Sequence, residues 1–286
     1  MPIDLKNHLQ KLASQCTPLW IDAWAYGQQL LNKGSPPPWD DVGAFVSYHR
    51  QLQGLVQSDI LVVEVENFYE NWLQSNTALL AKMGEKRRLG YALRVMLADS
   101  AARDQLHEIT KAVCNSNSDV PVVLALPSPK RWMANAHCQA RKIDDARVSW
   151  DDAESASMYV ADFLRCFSDC ELSAVLLRDA ANTGPVCAGD VTRYQPVINV
   201  AQHYGWQIVL DGCADNFLAS PESGVAVCLS QLSTKESGLK LSDDCWDGAS
   251  LPSFNDERFW YVTIPQNAVP EQVLELLGKM RATDKE

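Results

Sequence analysis

No stretch of the sequence reaches the roughly 18 consecutive apolar residues that a membrane helix needs, so no membrane partner is expected. The opening MPIDLKNHLQKL lacks a basic segment followed by an apolar one. That is not the pattern of a secretory signal, and a cytoplasmic protein is expected. Cations are scarce: 25 Lys and Arg stand against 36 Asp and Glu, a net charge of −11. Such a surface repels a phosphate backbone, which argues against nucleic acid as a partner. The short-range motifs of chemistry are missing too. There is no C-x-x-C or H-E-x-x-H metal spacing, no G-x-G-x-x-G after a strand, no phosphate loop and no G-x-S-x-G elbow.

Cysteine, in contrast, is plentiful. The nine residues Cys16, Cys114, Cys138, Cys166, Cys170, Cys187, Cys213, Cys228 and Cys245 are odd in number and scattered. In a chain of 286 residues that pattern reads as reduced, packed thiols rather than a disulfide framework.

Residues 1–57 read as helices. Trp20, Ala23, Trp24, Gly27 and Leu31 fall on one face at helical spacing, and Gly34 with Pro36–Pro38 breaks the run. A second helix near 39–57 puts Val42, Phe45, Val46, His49 and Val56 on a face. His49 reads there as a packed side chain satisfied by one hydrogen bond. DILVVEVEN, residues 59–67, is the first clear strand, and residues 68–115 are helical again, with a solvated basic patch at Lys86, Arg87 and Arg88.

From residue 120 strands and helices alternate. Strands are expected in VPVVLALP, LSAVLLRDA, WQIVLDG, GVAVCLS and RFWYVTIP. They are continuous apolar runs, the pattern of parallel strands covered on both faces. With 59–67 that makes six. A closed barrel needs two more, in 68–118 or 231–257. The expected fold is a (β/α)8 TIM-type barrel with a helical N-terminal extension at 1–57, in one α/β domain over 1–286. The alternative is an open doubly wound parallel sheet.

Ligands in parallel α/β folds collect at the carboxyl ends of strands. Glu64, Glu66 and Asn67 follow the first strand. Ser128, Lys130 and Arg131 follow the second, with His137 and Cys138 further on. Arg178, Asp179 and Asn182 follow the third, and Asp211, Cys213 and Asp215 the fourth. Arg178, Arg131, Lys130 and Asn182 are candidates to hold an anionic substrate. Asp211, Asp179 and Glu66 are candidates to move a proton. Each of these polar residues also suits a turn or a helix cap. No metal is required by this set. A zinc alternative would draw on Cys213, Cys228, Cys245 and His137.

Four stretches, VVLALPSPKRW, LSAVLLRDA, YQPVINVAQHYGWQIVLDG and FWYVTIPQNAVPEQVLELLGKM, resemble the uroporphyrinogen decarboxylase and cobalamin-independent methionine synthase superfamily over residues 120–282. The resemblance implies a β/α barrel. Its decarboxylating members use an aspartate and an early arginine-rich loop without metal or cofactor; residues 1–60 carry no such loop. Its methyl-transferring members bind zinc through His-x-Cys and a later Cys, whereas His137 and Cys138 are adjacent here. Three functions are therefore carried forward. The first is a lyase or decarboxylase for a small carboxylated substrate. The second is a zinc-dependent methyltransferase. The third is a non-catalytic subunit meeting a protein partner or a second copy through Trp20, Trp24 and Trp39.

Overall fold

The computed structural model describes residues 2–179, 185–214, 217, 219–234, 237–255 and 257–282. Its elements run α1 (Leu5–Ala13), β1 (Leu19–Asp22), α2 (Trp24–Asn32), α3 (Val42–Val56), β2 (Leu61–Glu64), α4 (Val65–Ser75), α5 (Thr77–Met83), α6 (Tyr91–Leu97), α7 (Ser100–Ser116) and β3 (Val122–Pro127). They continue through α8 (Pro129–Arg141), α9 (Trp150–Leu164), β4 (Ala174–Arg178), α10 (Ala188–Val191), α11 (Gln195–His203), β5 (Gln207–Asp211), β6 (Val227–Ser230), β7 (Ser237–Lys240), β8 (Phe259–Thr263) and α12 (Pro270–Arg281).

The eight strands form one parallel sheet in the order β1-β8-β7-β6-β5-β4-β3-β2. With helices packed around it, the sheet is a nearly closed (β/α)8 barrel. Strand side chains alternate in direction, so each strand has an inner and an outer row. The inner rows supply Trp20, Val123, Ala125, Ala174, Leu176, Val209, Val227, Leu229, Phe259 and Tyr261 to one buried cluster. The outer rows pack against the helices.

Two strands lie where the sequence pattern hides them. β7 falls inside the expected 231–257 window. β1, however, occupies Leu19–Asp22, inside the stretch whose spacing reads as helix, and no strand lies in 68–118. Four residues are too short to show alternation, and Trp20, Trp24 and Gly27 happen to keep helical spacing. The helix itself begins only at Trp24. Residues 1–57 thus contain a barrel strand as well as helices.

α1 closes the amino end of the barrel. Leu5 and Leu9 join the interior cluster. Gln207, the first residue of β5, accepts from the Lys6 amide at 3.3 Å and donates to Asp4 at 3.1 Å. Asp4 also caps the helix, accepting from the Asn7 amide at 2.8 Å.

The ring has one seam. β1 and β2 share no ladder. Two residues stitch its lower part: the Leu19 amide donates to Asp59 at 2.7 Å, and the Ile21 amide donates to the Ser58 hydroxyl at 3.0 Å. The Asp59 amide returns a bond to the Leu19 carbonyl at 2.9 Å.

Interior packing leaves no room at Gly238, whose added Cβ would lie 2.3 Å from the Phe259 ring. Gly238→Ala is expected to cost about 1–3 kcal/mol. Gly54→Ala, in α3 with nothing within 4 Å, is expected to gain about 0.5–1 kcal/mol. Urea unfolding of both variants checks the contrast; equal midpoints would contradict the packing.

Candidate functional site

The last inward-facing position of each strand decides what lines the barrel mouth. In β2 the inner row is Ile60, Val62 and Glu64; in β4 it is Ala174, Leu176 and Arg178. The same parity brings Asp22 from β1, Asp211 from β5, Lys240 from β7 and Tyr261 from β8 to the mouth. Below this layer the interior is hydrocarbon.

Arg178 is the hub. Its guanidinium grips both Glu64 oxygens, Nη2 at 2.9 Å from Oε1 and Nη1 in a still shorter contact with Oε2. Nη2 also donates to the Tyr261 hydroxyl at 3.4 Å and lies 3.7 Å from Asp22 Oδ2. Tyr261 in turn donates to Asp22 at 3.0 Å. Lys240 and Asp211 form the second pair, with Nζ 2.9 Å and 3.2 Å from the two carboxylate oxygens. Lys240 Nζ sits 5.7 Å from the centre of the Tyr261 ring, which links the two pairs.

Burial separates their roles. The Glu64 side chain is 6% exposed and Lys240 is 36% exposed. Burial pushes the Glu64 carboxyl above its ordinary range; Arg178 pulls against this, and Asp22 adds to it. Burial opposes the Arg178 charge, but Glu64, Tyr261 and Asp22 outweigh it and hold the guanidinium charged. Burial and Asp22 together raise the Tyr261 hydroxyl, so it remains a donor. Lys240 and Tyr261 also edge a cleft of about 950 Å³ with Ser242, Asp243 and Thr263. The mouth therefore offers a buried carboxyl whose hold on a proton is strengthened by burial, a fixed cation and phenol suited to a developing oxyanion, and a cation at its rim suited to an anion.

Among the sequence candidates, Arg178 and Asp211 meet in this layer, as register partners on β4 and β5. Asp179, one residue on, faces outward. It is buried behind the barrel wall and accepts from the Tyr194 hydroxyl at 2.9 Å. Gly212 turns the chain over it with φ +91°, where an added Cβ would lie 3.0 Å from that of Asp179. Asp211 therefore belongs to the mouth, while the residues after it make a turn.

Glu66 lies in the first turn of α4, clasped by Arg131 at 2.7 Å and 2.9 Å and by Asn135 at 2.9 Å. Arg131 is committed to that pair, and Lys130 lies 4.0 Å from the centre of the Trp150 ring. Asn182 is outside the described residues.

Of the candidate zinc donors only Cys213 and Cys228 meet among the described residues. Cys213 hydrogen-bonds Cys228, and that contact with burial raises its thiol. Cys245 packs in the cluster of Trp260 and α12. His137 is on α8. The described group that comes within metal-ligand reach is His107, Asp169 and Cys170, on the outer helical layer, where Lys111 pairs with Asp169 at 2.7 Å. Among the described residues, Cys213, Cys228, Cys245 and His137 do not form one ligand set.

Asp22, Tyr261 and Lys240 carry no local sequence signal, and strand-end position alone does not separate Glu64 from Glu66. Counting in twos from Ala174 selects Arg178 over Asp179; Glu64 and Glu66 share a parity, and what separates them is that β2 ends at Glu64 while Glu66 already lies in α4.

The chain matches no protein-family model and no curated protein.

Arg178→Met is expected to cost about 3–5 kcal/mol, because it strands Glu64 without its partner in a buried place. Arg131→Met, at a pair with more solvent access, is expected to cost less. Urea denaturation compares the two; a larger loss at Arg131 would contradict this ranking.

Proposed function

We propose that the protein is a lyase, a decarboxylase of a small carboxylated molecule bearing a carbonyl group, working at the carboxyl ends of the barrel strands. The observation that carries this reading is a buried Glu64, its carboxyl pushed up by burial, gripped by Arg178 in a mouth whose rim carries the accessible Lys240. Lys240 would receive the substrate carboxylate, which can compete with Asp211 for the ammonium.

Arg178 and the Tyr261 hydroxyl would face the carbonyl oxygen. As the carbon–carboxylate bond breaks, carbon dioxide leaves and the bonding pair moves into the carbonyl, giving an enolate. Arg178 and Tyr261 would stabilise its oxygen. Glu64 would deliver its proton to the carbon, and water would restore the proton to Glu64. The chain's own groups and one water would supply every part of this step.

The subunit reading receives less support. Trp20 and Trp39 are buried, and Trp39 stacks on Trp24 and Phe45 with ring centres 5.6 Å and 4.4 Å apart. These aromatics are occupied in packing.

Carbon dioxide release from a panel of 3-oxo acids tests the proposal. The wild-type protein is expected to accelerate at least one member, and Glu64→Gln to slow it at least about 100-fold with the fold retained. The active form carries the proton on Glu64. Turnover should therefore be highest at low pH and fall as pH rises through the elevated Glu64 pKa, and the Gln variant should lose that limb. No acceleration across the panel, or an unchanged rate in Glu64→Gln, would contradict the reading.

A further inference from the structure

Above the Ser58 and Asp59 stitches, β1 and β2 part around a cavity of about 60 Å³. That is room for roughly four water-sized groups, at about 15 Å³ of accessible space each. Phe45 and Leu52 of α3 help to form its outer wall, and Glu64 and Arg178 reach it from the mouth. The cavity therefore adjoins the candidate site.

Two polar atoms on its lining side chains have no protein partner. Tyr48 is 6% exposed, and nothing bonds its buried hydroxyl. His49 donates from Nε2 to the Val62 carbonyl at 3.3 Å, which fixes the proton on that nitrogen. Nδ1 is left as a buried acceptor with no partner. Burial lowers the His49 pKa and keeps the ring neutral. A donor hydroxyl and an acceptor nitrogen thus lie in walls that are otherwise mostly hydrocarbon. A buried polar atom without a partner is costly, and native interiors avoid it. A charged group would be poorly served here, since neither atom carries charge. A hydroxyl both donates and accepts, so it can serve Nδ1 as donor or Tyr48 as acceptor.

We infer that the parted seam between β1 and β2 is a substrate subsite, which receives a short neutral end bearing a hydroxyl group. The inference rests on the decarboxylase reading and narrows its substrate to a small hydroxy-oxo acid. The carboxylate lies toward Lys240, the carbonyl faces Arg178 and Tyr261, and the hydroxyl end enters the seam at Tyr48 or His49.

Two stable probes separate these parts: 4-oxopentanoate and 5-hydroxy-4-oxopentanoate, which differ by one hydroxyl and cannot lose carbon dioxide as 3-oxo acids do. Calorimetric titration should show both binding the wild-type protein, the hydroxylated one about tenfold tighter, the scale of one net hydrogen bond. The preference should shrink in Tyr48→Phe or His49→Phe, while affinity for 4-oxopentanoate stays unchanged. Tyr48→Phe removes only an oxygen that bonds nothing, so folding is expected to survive it. Equal binding of the two probes, or a preference that survives both variants, overturns the subsite while the mouth reading stands.

Crystals soaked in propan-1-ol test the seam independently of the mouth. Alcohol between β1 and β2, hydrogen-bonded to Tyr48 or His49, supports the subsite even if neither acid binds. In that event it is the decarboxylase reading that falls. Water alone in the seam of the soaked crystals overturns the subsite.

Discussion

Among the described residues, one guanidinium spans the break in the barrel between β1 and β2. β1 and β2 are neighbours in the ring but exchange no ladder. Arg178, projecting from β4, reaches Glu64 at the end of β2 and Asp22 at the end of β1. The strand ends that backbone hydrogen bonds leave apart are thus tied by charge. Taking a guanidinium and two carboxyl groups out of water is expensive, and only close, well-directed contacts offset the cost. The bidentate grip on Glu64 and the Tyr261 bridge to Asp22 supply those contacts. The same arrangement places a cation, a phenol and a buried carboxyl within one layer of the mouth.

The grip is uneven, and that unevenness organises the chemistry. Glu64 is held tightly and deeply buried, whereas Asp22 stands 3.7 Å from the guanidinium. Lys240 and Asp211 form a second pair nearer solvent. From the rim inward the mouth therefore runs from an accessible cation, through a phenol, to a fixed cation and a buried carboxyl. The parted seam continues that path sideways between β1 and β2, past Glu64 toward the unpartnered atoms of α3. A molecule lying along it would meet groups suited to an anion, a carbonyl oxygen and a neutral hydroxyl in turn.

The barrel was legible in the sequence because its strands are buried on both faces. VVLALP and AVLLR need no alternation to be recognised as parallel strands. β1 was hidden by its length of four residues and by tryptophans that also fit a helix; β7, SGLK, offers a single large apolar side chain. The site was half legible. Strand ends pointed to Arg178 and Asp211, but the choice between neighbours depends on which residue faces inward. Glu66 and Asp179 lie one face or one turn away, and they serve Arg131 and Tyr194 instead. Tyr261 sits within its strand, where a search beyond strand ends does not look. Asp22 was concealed together with β1. The pairing of Lys240 with Asp211 joins residues 29 apart in the chain, and no local spacing announces it.

A double-mutant cycle between Asp22 and Glu64 tests the central claim most directly. Their strands share no ladder, so coupling beyond their mutual repulsion has to pass through Arg178. Urea unfolding of Asp22→Asn, Glu64→Gln and the double variant is expected to give a coupling of about 1 kcal/mol or more, which collapses when the cycle is repeated in Arg178→Met. Additivity within about 0.3–0.5 kcal/mol, or the same coupling without Arg178, would contradict the claim that this guanidinium holds the seam and the mouth together.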